Sequence, residues 1–451
     1  MLDVLWSIAA FIVALGVLVS FHEFGHFWVA RRLGVKVLRY SIGFGRPLWT
    51  RTGRDGVEYV IAALPLGGYV KMLDEREGEV PAAEVHLAFN RQNPWKRIAI
   101  VAAGPAANFL LATFLYWVVF MWGVPALKPV LADPPAHTRA AALGLHSKDE
   151  ILAVDAEPVT TFQELRIQLI EHALSGRAAA LSVRGAGGLV DTKVLDMAGA
   201  RVDPQFLFED LGLNPYQPPA PPVLGQIVGG SAAQAAGLRT GDRILTINGA
   251  AITLYQELFD WVRAHPGAVA RFEVERGKEK IALTAIIASE NDGEKTQGRL
   301  GAGVDVPDEL WDNLTIEYQL SVVDAAPAAV VQTGRMSALI LKMMVRMVLG
   351  DVSVKNVSGP IQIAQFAGYT ASIGLVSFLS FIAIMSVSLG VLNLLPVPVL
   401  DGGHLLFFGV EIVKGSPLSE RAQSIGQHVG LTVLIALMGL AFYNDILRLI
   451  H

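Results

Sequence analysis

The sequence contains no cysteine. That removes disulfides, thiolate metal ligands and nucleophilic thiols together, so a metal bound here must take His, Asp or Glu, and any domain outside the cytoplasm must stand on its core alone. Charge is scarce too: 17% of the 451 residues are Asp, Glu, Lys or Arg, and the net charge is −5. No basic stripe interleaves with aromatics, so no nucleic-acid partner is expected. The opening segment lacks the basic residues of a secretory signal, carrying Asp3 instead, and no small-residue cleavage site follows. The first apolar run is therefore expected to stay as a membrane anchor.

What is present is apolar sequence. Hydrophobic residues make up 52% of the chain and the mean hydropathy is +0.45, too high for a wholly soluble protein. Four uncharged runs reach spanning length: Val4 to Phe21, Ile98 to Trp122, a long one ending at Leu400, and Ala422 to Asn444. Between the first two, residues 31–97 concentrate Arg31, Arg32, Lys36, Arg39, Arg46, Arg51 and further Lys and Arg, a bias that belongs in the cytoplasm. The N-terminus, the large segment 123–372 and, after four crossings, the C-terminus are then expected outside.

The first run ends in Phe21-His22-Glu23-Phe24-Gly25-His26. Residues four apart share a helix face, so His22 and His26 can grip one zinc while Glu23 serves as the base for a water held there. Three ionisable groups in a membrane helix cost several kcal/mol unless they are buried together and used. No Gly-and-His extension follows His26, which excludes the metzincin arrangement. The third run ends in Asn393-Leu394-Leu395-Pro396-Val397-Pro398-Val399-Leu400-Asp401-Gly402-Gly403. Its prolines break a helix at membrane depth, and Asp401 supplies a third ligand, leaving a fourth position open as catalytic zinc requires.

Glu58 to Met72 reads as strand residues about a Pro/Gly turn, a hairpin placed between the zinc helix and the second span. Its Gly67, Gly68, Tyr69 and Val70 are candidates for pairing with an extended substrate backbone, which would hold a substrate helix unwound. In the second span, Ala102 to Asn108 is a small-residue stretch that lets a neighbouring helix approach, with Asn108 a candidate substrate contact. Residues 330–349 mix Arg335, Lys342 and Arg346 with Met and Leu, as an amphipathic helix on the outer membrane surface does.

Between these lies a repeat: Gly144 to Asp155 matches Gly237 to Asn248 at a fixed offset. The second copy resembles the PDZ domains of bacterial extracytoplasmic proteases, and Asn214 to Pro222 reads as a stiff connection. Leu211-Gly212-Leu213 is the candidate peptide groove, since PDZ-like folds add a peptide strand to a sheet edge. The expected fold is thus a polytopic α-helical membrane protein with four transmembrane helices, a membrane-associated β-hairpin and two extracytoplasmic PDZ-like α+β domains. Its segments are a first transmembrane helix over 1–30, a cytoplasmic loop with the hairpin over 31–97, a second helix over 98–124, PDZ-like domains over 125–205 and 206–306, and an outer-surface amphipathic segment over 307–372. A third helix over 373–400, a cytoplasmic loop over 401–427 and a fourth helix over 428–446 complete it.

His22-Glu23-Phe24-Gly25-His26, Gly104 to Asn108, the PDZ pair and Leu400-Asp401-Gly402-Gly403 together resemble the site-2 protease family of intramembrane zinc metalloproteases. The resemblance implies His22, His26 and Asp401 as ligands of one zinc, Glu23 as general base, Asn393 as a polar contact to substrate, and the hairpin as the family's membrane-associated β-element. It implies a bacterial inner-membrane location with both termini and the PDZ pair periplasmic and the site near the cytoplasmic face. The implied substrates are single-span membrane proteins, such as an anti-sigma factor already cut outside by a separate site-1 protease, and remnant signal peptides, in regulated intramembrane proteolysis during envelope stress. The competing class is a zinc-stabilised PDZ scaffold without hydrolysis, which would need no base beside its ligands.

Overall fold

The computed structural model of the protein describes residues 2–199, 207–291, 296–350, 352–354 and 357–450. Its contacts divide into a helical unit, residues 1–124 and 318–446, and a second unit over residues 125–317.

The helical unit opens with α1, Leu2–Arg32, whose last turn carries Arg31 and Arg32, cations suited to a helix C-terminus. The second helix, α2, Pro94–Trp122, begins where Asn93 accepts the Trp95 N–H and Pro94 takes the first helical position. Five more follow: α3 (Val322–Val348), α4 (Pro360–Ile373), α5 (Leu375–Asn393), α6 (Asp401–Lys414) and α7 (Glu420–Ile450). α2 is the centre and touches α1, α3, α5 and α6. One apolar cluster joins Leu18 of α1, Leu111 and Leu115 of α2, Ala329 of α3, and Ile382 and Val387 of α5. α4 packs on α1, and its first turn is capped from a distance: the buried Asp445 carboxylate of α7 accepts the N–H groups of Gly359 (2.9 Å), Ile361 (2.8 Å) and Gln362 (3.2 Å).

Five of the described helices are long and apolar enough to cross a membrane: α1, α2, α3, α5 and α7. The additional one is α3. Its length exceeds the amphipathic stretch expected at 330–349, because Ala329 and Thr333 let one face lie against α2, where the Thr113 hydroxyl donates to that of Thr333 at 3.0 Å. The expected third span also differs. The helix stops at Asn393, since a residue before proline avoids the helical region and Pro396 and Pro398 follow closely. The expected loop 401–427 instead contains α6, held to α2 by a largely buried ion pair between Arg97 and Glu411, with the Arg97 guanidinium 4.7 Å from the Phe408 ring centre.

Between α1 and α2, strands β1 (Val37–Thr52) and β2 (Glu58–Met72) pair antiparallel and curl, so Tyr40 faces Val70 on one side and Tyr59 on the other. Residues 68–72 thereby form an outer edge, paired with β1 alone among the described strands. Phe27 of α1 anchors the hairpin through ring contacts to Tyr40 and Tyr59, and the Tyr40 hydroxyl donates to the Ser20 carbonyl at 2.8 Å. Phe44, Leu48, Trp49 and Leu64 stay exposed toward its tip.

The second unit bears out the repeat. Strands Glu157–Pro158, Glu150–Val154, Ala179–Arg184 and Val190–Leu195 form a sheet in that order, and Ala250–Ala251, Arg243–Ile247, Val269–Arg276 and Glu279–Ile286 repeat it. Matched aspartates close matched turns: Asp149 accepts the His146 N–H and Asp242 the Arg239 N–H, each at 2.9 Å. The division expected at 205/206 falls early. Helix Leu207–Leu211 packs on the first domain, with Phe208 against Phe162 and beneath Arg166, and Asn214 and Tyr216 are bonded to Ala132 and Val130. The prolines of 217–222, which cannot continue the pairing, mark the change instead.

Candidate metal centre

α1 presents His22 and His26 one turn apart, as the i, i+4 spacing requires. Asp401 reaches them from the first turn of α6, brought back by the bend 394–400. His22 Nε2 and His26 Nε2 lie 3.3 Å apart, and Asp401 Oδ2 lies 3.2 Å from the first and 3.5 Å from the second. Donors about 2.0–2.1 Å from a tetrahedral zinc are spaced about 3.3–3.4 Å from one another, so this triangle has the dimensions of one face of such a site. Its chemistry agrees. Three lone-pair atoms converge with side chains only 12%, 11% and 18% exposed, and Asp401 Oδ2 is buried without a hydrogen-bond partner. Like ligand atoms gathered in a poorly hydrated site need a cation between them. Among the described residues this is the one group of His, Asp or Glu arranged to hold a metal.

Neighbouring groups from α2 orient the imidazoles. His26 Nδ1 faces the Ile100 carbonyl at 2.9 Å, and His22 Nδ1 faces the Asn108 amide at 3.1 Å. Outer partners of this kind select which ring nitrogen is free to bind.

Glu23 is buried beside the triangle and against the hairpin edge. A Cβ at Gly68 would come within 2.8 Å of Glu23 Cγ and 2.7 Å of the Ser41 carbonyl oxygen. Only a glycine lets the strand run this close to the carboxylate. The other hairpin candidates sit in the same edge: Tyr69 stacks on Phe44 and receives a hydrogen bond from Arg39 (3.1 Å), Val70 packs into the cluster around Phe27, and Gly67 lies against the Phe44 ring.

Not every candidate joins the site. Asn393 is half-buried at the end of α5, and its side chain makes no hydrogen bond among the described residues. Asn108 joins it behind His22 but, at 0% exposed, is out of reach of a substrate. Leu211 and Leu213 are 1% and 0% exposed in the core of the first domain, and the Thr138 side chain fills the space beside Gly212. A cavity of about 500 Å³ lies instead in the second domain, between helix Tyr255–Ala264 and residues 297–303. The Ile100 carbonyl, the Asp445 cap and the Arg97–Glu411 pair were absent from the sequence reading. The last two had a signal, because a lone charge in an apolar stretch needs a partner.

The profile of peptidase family M50 matches residues 10–437. "Protease RseP" of Yersinia pestis is 44% identical over 453 residues, covering 100% of both chains. "Regulator of sigma-E protease RseP" of Escherichia coli K12 is 43% identical over 453 residues, also covering 100% of both. A Vibrio cholerae protein that carries zinc metalloprotease in its name is 42% identical over 456 residues at the same coverage. With similarity running end to end through the histidine motif and Asp401, the chain belongs to peptidase family M50, the site-2 proteases, and is a zinc metalloprotease of the membrane.

Proposed function

We propose that this protease cuts within the transmembrane segment of single-span proteins of the bacterial inner membrane, after a first external cut, and that an anti-sigma factor is among its substrates. The names of the Yersinia and Escherichia relatives support the pathway. The observation that carries the chemistry is the triangle of His22, His26 and Asp401 with Glu23 between it and a free strand edge. His22, His26 and Asp401 would hold the zinc, which when bound would supply Lewis acidity enough to bring a water's pKa to about 7 and to polarise the scissile carbonyl. Glu23 takes the proton of the attacking water and returns it to the leaving amine. The edge 68–72 pairs with the substrate backbone and keeps the segment extended, since amides bonded within a helix are closed to attack. The unbonded amide of Asn393 is the polar contact to substrate.

Four crossings fit this arrangement. α5 runs antiparallel to α2, because Ser386 bonds the Asn108 carbonyl while Asp401, past the end of α5, lies at His26, which sits against Ile100 and Gly104 nearer the start of α2. The basic loop 31–97 puts the start of α2 in the cytoplasm, so α2 exits and α5 returns. The chain between them must cross an even number of times. If α3 crossed, α4 would have to bring it back, and its 14 residues rise about 21 Å against about 30 Å of hydrocarbon. α1, α2, α5 and α7 are therefore the spans, the site lies toward the cytoplasmic face, and both termini lie in the periplasm.

The test is the purified full chain with a single-span substrate, with and without a zinc chelator, beside Glu23→Gln. Cleavage should need zinc, and the variant should keep its metal but lose at least about 10²–10⁴ in rate. Near-normal turnover by Glu23→Gln would remove Glu23 from the role of base.

A further inference from the structure

Zinc binding through Nε2, the nitrogen that both histidines aim at Asp401, requires each ring to carry its proton on Nδ1, and a buried N–H needs an acceptor. For His26 the Ile100 carbonyl provides it at 2.9 Å. For His22 the polar side chain at Nδ1 is Asn108, with Nδ2 at 3.1 Å and Oδ1 buried without a partner. In that orientation the amide would donate to Nδ1, the proton would sit on Nε2, and the nitrogen facing Asp401 would have no lone pair to bind with. A half-turn of the amide exchanges its oxygen and nitrogen within the same volume. Either orientation leaves one amide atom unpaired, so metal binding decides: only with Oδ1 toward Nδ1–H is the His22 Nε2 lone pair free.

The surroundings hold Asn108 to that task. It is 0% exposed, behind the imidazole, and the Ser386 hydroxyl of α5 donates to its backbone carbonyl at 2.8 Å. We propose that Asn108 is a positioning residue whose amide oxygen accepts the Nδ1–H of His22, fixing the tautomer and ring plane that present Nε2 to zinc, instead of a substrate contact. This deepens the assignment of His22, His26 and Asp401 as ligands and rests on it.

The experiment is a zinc titration of the metal-stripped full chain in detergent against a competing chelator. Asn108→Leu, similar in size but with no acceptor, should weaken zinc binding about 10–100-fold. Asn108→Asp keeps an acceptor at the same place and should stay within about threefold of the parent, as carboxylate–histidine–zinc arrays do. His22→Ala is the control for the ligand assignment, and parental affinity in that variant would sink the assignment itself. If His22→Ala loses zinc but Asn108→Leu binds like the parent, the positioning role alone is wrong. An Asp variant as weak as the Leu variant would also overturn it, because packing and not the acceptor would then matter.

Discussion

Gly104 of α2 lies directly against His26 of α1. A Cβ there would overlap His26 Nε2 and Cε1 and approach His22 Cε1 to 2.9 Å. Backbone cannot yield easily in the middle of a packed helix pair, so the rings would have to turn out of the triangle. Gly104→Ala is expected to lower zinc affinity by at least tenfold and cleavage with it. Gly16→Ala, at an α1 position with nothing within 4 Å, should leave both unchanged. Metal analysis beside a cleavage assay checks this, and full zinc loading of Gly104→Ala would show that the rings have more freedom than the contacts allow.

The edge-strand role predicts a substrate-dependent defect. Proline at position 70 removes a backbone donor from the strand that runs past Glu23. Val70→Pro should slow cleavage of stable transmembrane helices several-fold more than that of substrates carrying helix-breaking residues, with zinc content retained. Uniform loss accompanied by loss of zinc would mean that the change merely disrupts the cluster around Phe27.

How much of this was legible follows the range of the interaction. The zinc motif is local, since a spacing of four on one helix fixes His22 and His26 as neighbours. Asp401 was legible because two prolines and two glycines break an apolar run there, which membrane depth tolerates only for a purpose. The repeat was legible because the same turn chemistry recurs at Asp149 and Asp242. The Ile100 carbonyl was not, because every residue has a carbonyl and only the helix packing selects one. The Asp445 cap on α4 joins residues 83 to 86 positions apart. The division near 205 is not legible because a partner of Phe208, Phe162, lies far back in the sequence.

Topology can be checked with single cysteines in a chain that has none. Ser147→Cys should react with an impermeant thiol reagent in intact spheroplasts, and Thr52→Cys should not. Ser416→Cys, in the exposed turn between α6 and α7, should also be protected. Its labelling would mean that α3 crosses the membrane and that the even-crossing argument fails.

Acid stability of the second repeated domain should depend on Asp242. Burial works to raise its pKa, but a two-pronged hydrogen bond from Arg276, at 2.7 Å to each oxygen, and the Arg239 N–H outweigh it and hold the carboxyl below its ordinary value. With the folded value depressed below an unfolded value of about 3.9, the stabilisation is fully present above that pH and is lost as pH falls through the folded value. Asp242→Asn should make residues 224–304 exchange hydrogen faster at neutral pH and flatten the pH dependence below about pH 4. An unchanged acid profile would show that the pairing with Arg276 contributes nothing.

The repeated domains pose a choice between bulk and recognition. Residues 125–317 are inserted between α2 and α3, so a substrate's external portion must share the periplasmic side with them in the proposed topology. As a size filter they need no specific contact, because collision alone discriminates a bulky external domain from a trimmed one. As an activating receptor they need a groove, and the second domain shows an open cavity, bordered by Tyr255, Phe259 and Gln297. The Phe162 contact in the first domain is taken by Phe208 of its own chain. Deleting residues 127–305 should permit cleavage of untrimmed substrates if bulk is what matters, and should silence cleavage if recognition is. Gln297→Trp, which fills the cavity without removing the domain, should change cleavage of trimmed substrate less than twofold under the first reading and at least tenfold under the second. The filter reading is the one expected to hold. A zinc-loaded deletion variant that still rejects untrimmed substrate would defeat it, because no bulk would then remain to do the rejecting.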